Sequence, residues 1–252
     1  MSIKEFISKK PWAGWLLFLA TAAVVFLLGM LASSIVERRS EAKYAYRPPT
    51  DLKPFESDNS VWGKFYPREY QSWLMTSDTS FRSRHAGNKP IDVLATDPEL
   101  VVLWAGYAFS KDYSQARGHA WAVEDIRNTL RTGAPMTPDD GPQPGTCWAC
   151  KSPDVPRMIE KMGAESFYKA KWASLGPEIT NPIGCADCHN PDNMTLTITR
   201  PALKEAFERQ GRNITDAGHQ EMRSLVCAQC HVEYYFKGDG KYLTFPWDKG
   251  MT

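Results

Sequence analysis

All six cysteines of the chain fall into three Cys-x-x-Cys pairs, and this pattern constrains the fold more than any other feature. The pairs are Cys147–Cys150, Cys185–Cys188 and Cys227–Cys230, and they are followed directly by Lys151, His189 and His231, respectively. Two cysteines separated by two residues can form thioether bonds to one haem, and a histidine after the second cysteine can bind the iron. The sequence therefore predicts three covalently bound c-type haems.

Two other uses of paired cysteines have to be weighed against haem. A zinc site can be built from two Cys-x-x-Cys pairs, and an exported domain can pair its cysteines as disulfides. The histidine that directly follows two of the pairs has no role in a four-cysteine zinc ribbon, so the pattern favours haem. Covalent haem attachment takes place outside the cytoplasm, which orients the chain across a membrane.

The first motif differs from the others because Lys151 stands where they have a histidine. A protonated ammonium group cannot bind iron, so we expect burial and the metal itself to keep Lys151 neutral. The alternative is a first pair without haem, with Lys151 as a solvated surface residue. Both interpretations follow from the spacing alone.

The chain offers few candidate axial ligands for haem iron, because it contains only five histidines. After His189 and His231, the remaining three are His85, His119 and His219. His119 follows Gly118, and a glycine allows the backbone to approach a planar macrocycle closely. If the second and third haems each take a distal ligand, the haem at Lys151 keeps an open iron position for a substrate.

An uncharged run, Pro11–Val36, is long enough to span a bilayer and is longer than the apolar region of most signal peptides. We expect a signal-anchor at 11–36, with residues 1–10 in the cytoplasm, a periplasmic tether at 37–60 and one domain at 61–252. The chain then lies on the periplasmic side of the bacterial inner membrane. Ala32 and Ser34 offer a small-residue cleavage site, and cleavage there would release a periplasmic protein.

Composition narrows the fold class and the partners. The 30 Lys and Arg residues balance 29 Asp and Glu residues, so no global basic field favours nucleic acid. The patterns predict a mainly α fold with much irregular loop, organised around covalently bound haems and preceded by one transmembrane helix. The predicted helices are 68–77, 97–107, 121–131, 154–162, 165–174 and 201–210, and the predicted strands are 194–199 and 242–245.

Several motifs together resemble the pentahaem, ammonia-forming cytochrome c nitrite reductases. They occur in the order of that family and span roughly residues 72–251. They are Leu103–Tyr107, Arg117–Ala120, Thr129–Pro135, Cys147–Pro153, Gly184–Asn190 and Cys227–Phe236.

The resemblance implies six-electron reduction of nitrite to ammonium at a haem whose proximal ligand is Lys151. Arg117 resembles the cation that attracts nitrite, and Tyr234 resembles the hydrogen-bond donor beside it. His119 resembles the distal ligand of the third haem. The Glu233 carboxylate and the Tyr234 carbonyl resemble two ligands of a structural Ca²⁺. Without the resemblance, a surface salt bridge at Arg117 and an ordinary turn at Glu233 are the simpler interpretations.

The resemblance also implies a membrane-bound quinol-oxidising multihaem cytochrome as electron donor, and a homodimer. The chain stops at Thr252, before the family's fourth and fifth haem motifs, its pocket histidine, the rest of its calcium site, the distal ligand of the second haem and its dimer helices. We therefore expect a truncated form of the enzyme, with little activity by itself and without the dimer.

Two alternative functions remain open at this stage. One is a membrane-anchored trihaem electron-transfer cytochrome without substrate chemistry, which Lys151 disfavours. The other is a related multihaem reductase of other nitrogen or sulfur oxyanions. The combination of Arg117, Tyr234 and Glu233 favours nitrite over these.

Overall fold

The computed structural model of the chain describes residues 8, 10–45, 52–82, 88–130 and 143–248. His85, most of the Thr129–Pro135 motif and the last four residues lie outside the described residues. The chain divides into two compact units, residues 1–47 and residues 48–252.

The first unit contains one long helix, α1 (Pro11–Ala42). Pro11 occupies the first turn, where its missing N–H leaves no hydrogen bond unmade. The helix has a mean hydropathy of 2.4 over its most apolar window, so by length and composition it could cross a membrane. A signal sequence would meet the same criterion. The helix continues past Val36 to Ala42, so its last turns enter the predicted tether.

The second unit is mainly helical, and its elements are short and separated by irregular segments. Its α-helices are α2 (Asn59–Gly63), α3 (Pro67–Leu74), α4 (Val93–Thr96), α5 (Leu100–Leu103), α6 (Ala122–Asn128), α7 (Asp154–Met162), α8 (Ala164–Lys169), α9 (Trp172–Leu175), α10 (Cys185–Cys188), α11 (Pro201–Arg209) and α12 (His219–Ala228). Its 3₁₀ helices are Met75–Ser77, Ala108–Ser110, His119–Trp121, Gly145–Trp148, Gly176–Glu178 and Ile214–Asp216. The strands β1 (Tyr235–Lys237) and β2 (Tyr242–Thr244) form an antiparallel hairpin in which Phe236 pairs with Leu243.

The hydrophobic core is centred on Trp148, the second residue of the first cysteine motif. Trp148 is fully buried and stacks on Trp172 with ring centroids 4.4 Å apart and an angle of 6° between the planes. Its indole N–H donates to the Trp172 carbonyl at 2.8 Å. Helices α7, α8 and α11 and strand β2 supply the other buried side chains, among them Val155, Phe167, Leu203 and Leu243. The first motif is thus part of the core.

Amphipathic sequence patterns account for helices α7 and α11 of this unit. In α7, Val155 and Met158 are buried three residues apart, and the helix ends before Gly163, whose φ of 82° favours glycine. In α11, Pro201 occupies the first turn, and Leu203 and Phe207 are buried four residues apart. The predictions for 154–162 and 201–210 are confirmed, the second to within one residue.

Other predicted elements are wrong or shorter. The helix predicted over 97–107 is reduced to α5, and the one over 165–174 is broken between Lys169 and Trp172. The break has a long-range cause, because Gly145 N–H donates to the Ala170 carbonyl and Trp172 N–H donates to the Gln143 carbonyl. The predicted strand at 194–199 is only a single bridge between His189 and Leu196.

Candidate functional site

A cavity of about 510 Å³ in the second unit brings together the first and third cysteine motifs. Lys151 and Cys150 lie on its wall with Cys230 and His231, although about eighty residues separate the two motifs in sequence. The wall also includes residues 114–119, with Arg117 and His119, and residues of α6 such as Asp125. Six of the residues singled out from sequence therefore line one space.

The imidazole rings of His119 and His231 face each other across this space. Their centroids are 6.2 Å apart and their planes are inclined by 39°. A metal–imidazole bond is about 2 Å long and the ring centroid lies about 1 Å beyond the nitrogen, so two imidazoles on one iron have centroids about 6 Å apart. The spacing of the two rings fits a shared haem iron. Desolvation and the neighbouring His231 lower the pKa of His119, which favours its neutral form.

The second cysteines of the first and third motifs are in direct contact. Cys230 forms a hydrogen bond to the Cys150 thiolate, and this bond lowers the pKa of Cys150 to about 7. The pKa of Cys230 is raised by the same interaction and by burial. A thiol of such a lowered pKa is the nucleophilic partner of the two. The two motifs thus meet at their second cysteines.

The second motif lies on α10 and presents its histidine in one defined tautomer. The Nδ1 of His189 lies 2.9 Å from the Met194 carbonyl oxygen, which can only accept, so Nδ1 carries the proton. The Nε2 atom is then free to bind a metal. A second cavity, of about 260 Å³, lies beside His189 and is also lined by Trp62, Pro156 and Ala186.

Two glycines keep these segments close to their neighbours. A Cβ at Gly184, directly before Cys185, would collide with the Asn59 side chain. A Cβ at Gly118 would collide with the Thr76 carbonyl oxygen, so the close approach expected at Gly118 is to a backbone segment. Glycine is required at both positions because of the space available.

Arg117 is held at the cavity wall by several partners. Its guanidinium donates to the Asp125 carboxylate, lies 3.8 Å from Glu124 and stacks at 3.8 Å over the Trp121 ring. The hydrogen bond to Asp125 raises the pKa of Arg117, which stays a cation. The site therefore offers an anion one arginine whose charge Asp125 partly balances. Sequence reasoning missed Asp125, since nothing in its local sequence marks it.

Comparison with known proteins places this geometry in a family. The sequence profile of the family described as cytochrome c552 matches residues 58–252. Cytochrome c-552 of Parabacteroides distasonis is 65% identical over 244 residues, which cover 96% of this chain and 49% of that protein. Cytochrome c-552 of Porphyromonas gingivalis is 60% identical, with the same coverage of each chain.

The chain belongs to the cytochrome c552 family.

A solved structure of cytochrome c nitrite reductase from Desulfovibrio desulfuricans, described with two calcium sites in its catalytic subunit, is similar to this cytochrome c552 chain. The TM-score is 0.73 at 30% sequence identity, and the match covers 80% of this chain and 46% of the other. The fold is thus that of a multihaem cytochrome, as predicted. The chain spans about half the length of the curated relatives it matches.

Among the described residues of the cytochrome c552 chain, the cysteine pairs form neither a disulfide nor a cluster of metal ligands. The six cysteines are all free thiols. Within the described ranges, no three side chains of His, Cys, Asp and Glu converge to hold a metal ion. All three motifs contribute to cavity walls: Cys150 and Cys230 line the larger cavity, and His189 of the second motif lines the smaller one.

The residues assigned to calcium lie elsewhere. Glu233 and Tyr234 are exposed in the turn that precedes β1, and the Tyr234 ring stacks on Phe236 with centroids 5.8 Å apart. In the part of the chain that the structure describes, Tyr234 is not among the residues that line the larger cavity. The structure thus brings Arg117 and Lys151 together, whereas Tyr234 stands apart from them.

Proposed function

We propose that this chain is part of a multihaem c-type cytochrome that reduces nitrite to ammonium. The observation that carries the proposal is the shared cavity wall formed by Arg117, Lys151 and the third cysteine motif. Arg117 offers a binding site for an anion there, and Lys151 stands in the sequence position of a haem ligand. Membership of the cytochrome c552 family and the similarity to a nitrite reductase support the same reaction.

Haem would be attached at Cys147 and Cys150, at Cys185 and Cys188, and at Cys227 and Cys230. Lys151, His189 and His231 would bind the three irons, with His119 as the second ligand of the third. When bound, the haems would carry electrons received from the donor, and the iron held by Lys151 would supply the redox chemistry for nitrite. Glu233 and Tyr234 would contribute oxygen ligands to a Ca²⁺ ion, which prefers hard oxygen donors.

The side chains around the cavity have separate tasks in this proposal. Arg117 binds the anion and stabilises the negative charge that develops as N–O bonds break. Asp125 orients Arg117 through its hydrogen bonds at 3.1 Å to the guanidinium Nε. Reduction of nitrite to ammonium takes six electrons and eight protons and releases two waters. The electrons come from outside the chain, and a membrane-bound quinol-oxidising multihaem cytochrome is the donor we propose.

Haem counting and electron paramagnetic resonance of the haem-loaded chain test the proposal. We expect three haems by the pyridine haemochrome method and a high-spin signal that changes on addition of nitrite. In K151Q this nitrite-sensitive signal should be lost, because an amide is a poor iron ligand. The matched control is K161Q, since Lys161 is exposed at the end of α7 and should leave the signal unchanged.

A second candidate function is a membrane-anchored trihaem electron carrier. The ion pair between Arg117 and Asp125 favours it, because a paired guanidinium attracts an anion less strongly. Three low-spin haems that do not respond to nitrite would support the carrier and contradict nitrite reduction. Localisation on the periplasmic side of the membrane, through α1, belongs to both candidates.

A further inference from the structure

The three cysteine motifs share one feature beyond their spacing. The residue directly before the second cysteine is turned into the protein in each motif. These residues are Ala149, Asp187 and Gln229, and each has 2% of its surface exposed. The residue at this position therefore points toward the interior in three segments that are distant in sequence.

One residue, Arg200, contacts all three positions, two through its side chain and one through its backbone N–H. Its Nε donates to the Ala149 carbonyl at 2.6 Å, its Nη2 donates to the Asp187 carboxylate, and its backbone N–H donates to Gln229 Oε1 at 3.3 Å. Nη2 also donates to the Ser152 carbonyl at 2.9 Å, directly after Lys151. Arg200 is 1% exposed and precedes α11.

The partners of Arg200 are bound to one another as well. Gln229 Nε2 donates to the Asp187 carbonyl at 2.8 Å, and Gln229 Oε1 accepts from the Thr199 backbone N–H at 3.1 Å. The second Asp187 oxygen accepts from the Gly184 N–H at 2.8 Å. Both charged side chains of the pair are 2% exposed, so the network contains one fully desolvated ion pair.

We propose that Arg200, balanced by Asp187, is the positioning residue that fixes the three haem-attachment motifs relative to one another and sets the reduction potentials of their haems. This inference rests on the proposed haem attachment. A haem bound to a cysteine pair lies next to the residues between the cysteines, which are the residues that Arg200 holds. Charges act strongly there because the surroundings exclude water.

The sign of the effect follows from charge balance. Reduction adds one electron to a haem, so an unbalanced buried cation favours the reduced form and raises the potential. Arginine does not lose its proton in proteins, so D187N leaves such a cation without changing the size of the side chain. We expect the reduced-to-oxidised ratio of at least one haem to rise about tenfold at fixed applied potential, or about 59 mV.

The experiment is a spectroelectrochemical titration of the haem-loaded chain. D187N should raise the reduction potential of at least one haem. R200K should leave this potential near that of the unmodified chain because the charge is kept, and D187N/R200Q should restore the unmodified value. The matched control is E221Q, which removes the acid from the exposed Arg212–Glu221 pair and should shift nothing.

The outcomes separate this inference from the proposed function. An unmodified chain without three covalent haems would overturn both. If the chain carries three haems and D187N, like E221Q, leaves their reduction potentials unchanged, only the role of Arg200 is overturned. If the double variant fails to take up haem, D187N and R200K still test the inference. A shift of the reduction potential in D187N alone supports the role of Arg200, and equal shifts in both variants contradict it.

Discussion

Replacement of His119 by alanine tests the geometry of the larger cavity most directly. The His119 and His231 rings are 6.2 Å apart between centroids, and two imidazoles on one iron require about 6 Å. The separation of the two rings therefore matches that of two imidazoles bound to one iron. Alanine cannot coordinate, so in H119A one of the three haems should lose one axial ligand and become five-coordinate.

The size of the change follows from the number of motifs. With three haems in the chain, one haem equivalent, or about a third of the iron, should leave the low-spin signals and appear as high-spin iron. Electron paramagnetic resonance with spin quantitation measures this fraction. H119M should keep the haem low-spin because a thioether can coordinate, and it should raise the reduction potential, as methionine ligation does in cytochromes c.

His219 provides the matched control. It is the exposed first residue of α12, so H219A should leave every haem signal as it was. The reasoning from ring spacing would be refuted if H119A kept all of its low-spin iron. It would equally fail if H219A lost the same haem equivalent.

Three further changes follow from the contacts around the first motif. W148A removes a fully buried indole and should lower the free energy of unfolding by about 3–5 kcal/mol in chemical denaturation, with W148F losing less. D125N leaves Arg117 with Glu124 as its nearby carboxylate and should tighten nitrite binding about fivefold in spectral titrations, equivalent to about 1 kcal/mol, whereas weaker binding would mean that the lost orientation of Arg117 outweighs its freed charge. In the haem-free chain, the alkylation rate of Cys150 should rise as pH increases through about 7, where the thiol becomes the thiolate, and C230A should move this rise to higher pH because it removes the hydrogen bond.

The sequence predicted the helices that depend on local pattern. Residues 154–162 carry an apolar face and a glycine stop, and they form α7 with the predicted bounds. The prediction of one helix over 165–174 is wrong because Lys171 forms a β-bridge with Pro144. Pro144 lies more than twenty residues earlier, so the local sequence does not reveal this pairing. Helix α12 was missed, although Met222, Leu225 and Val226 have helical spacing along one face.

The candidate site divides in the same way. The cysteines and their following ligands are adjacent in sequence, so their chemistry could be predicted without a structure. The contact between Cys150 and Cys230, the acid partner of Arg117 and the position of Arg200 arise only when distant segments meet. Tyr234 shows the reverse, because the resemblance assigns it to the pocket, whereas in the structure the residue is 46% exposed and its ring stacks on Phe236.

Burial within the motifs explains how one chain can prepare several cofactor sites. In each motif the residue directly before the second cysteine faces inward, where Asp187 and Gln229 enter the Arg200 network, and in the first motif Trp148 also enters the hydrophobic core. The cysteines and the residues after them are half-buried or exposed, with Cys227 and His231 the most open. Each motif is thus anchored mainly through its inner residues, while the second cysteines of the first and third motifs contact each other. A haem can then be attached without dismantling the contacts that position it, because those contacts involve different residues.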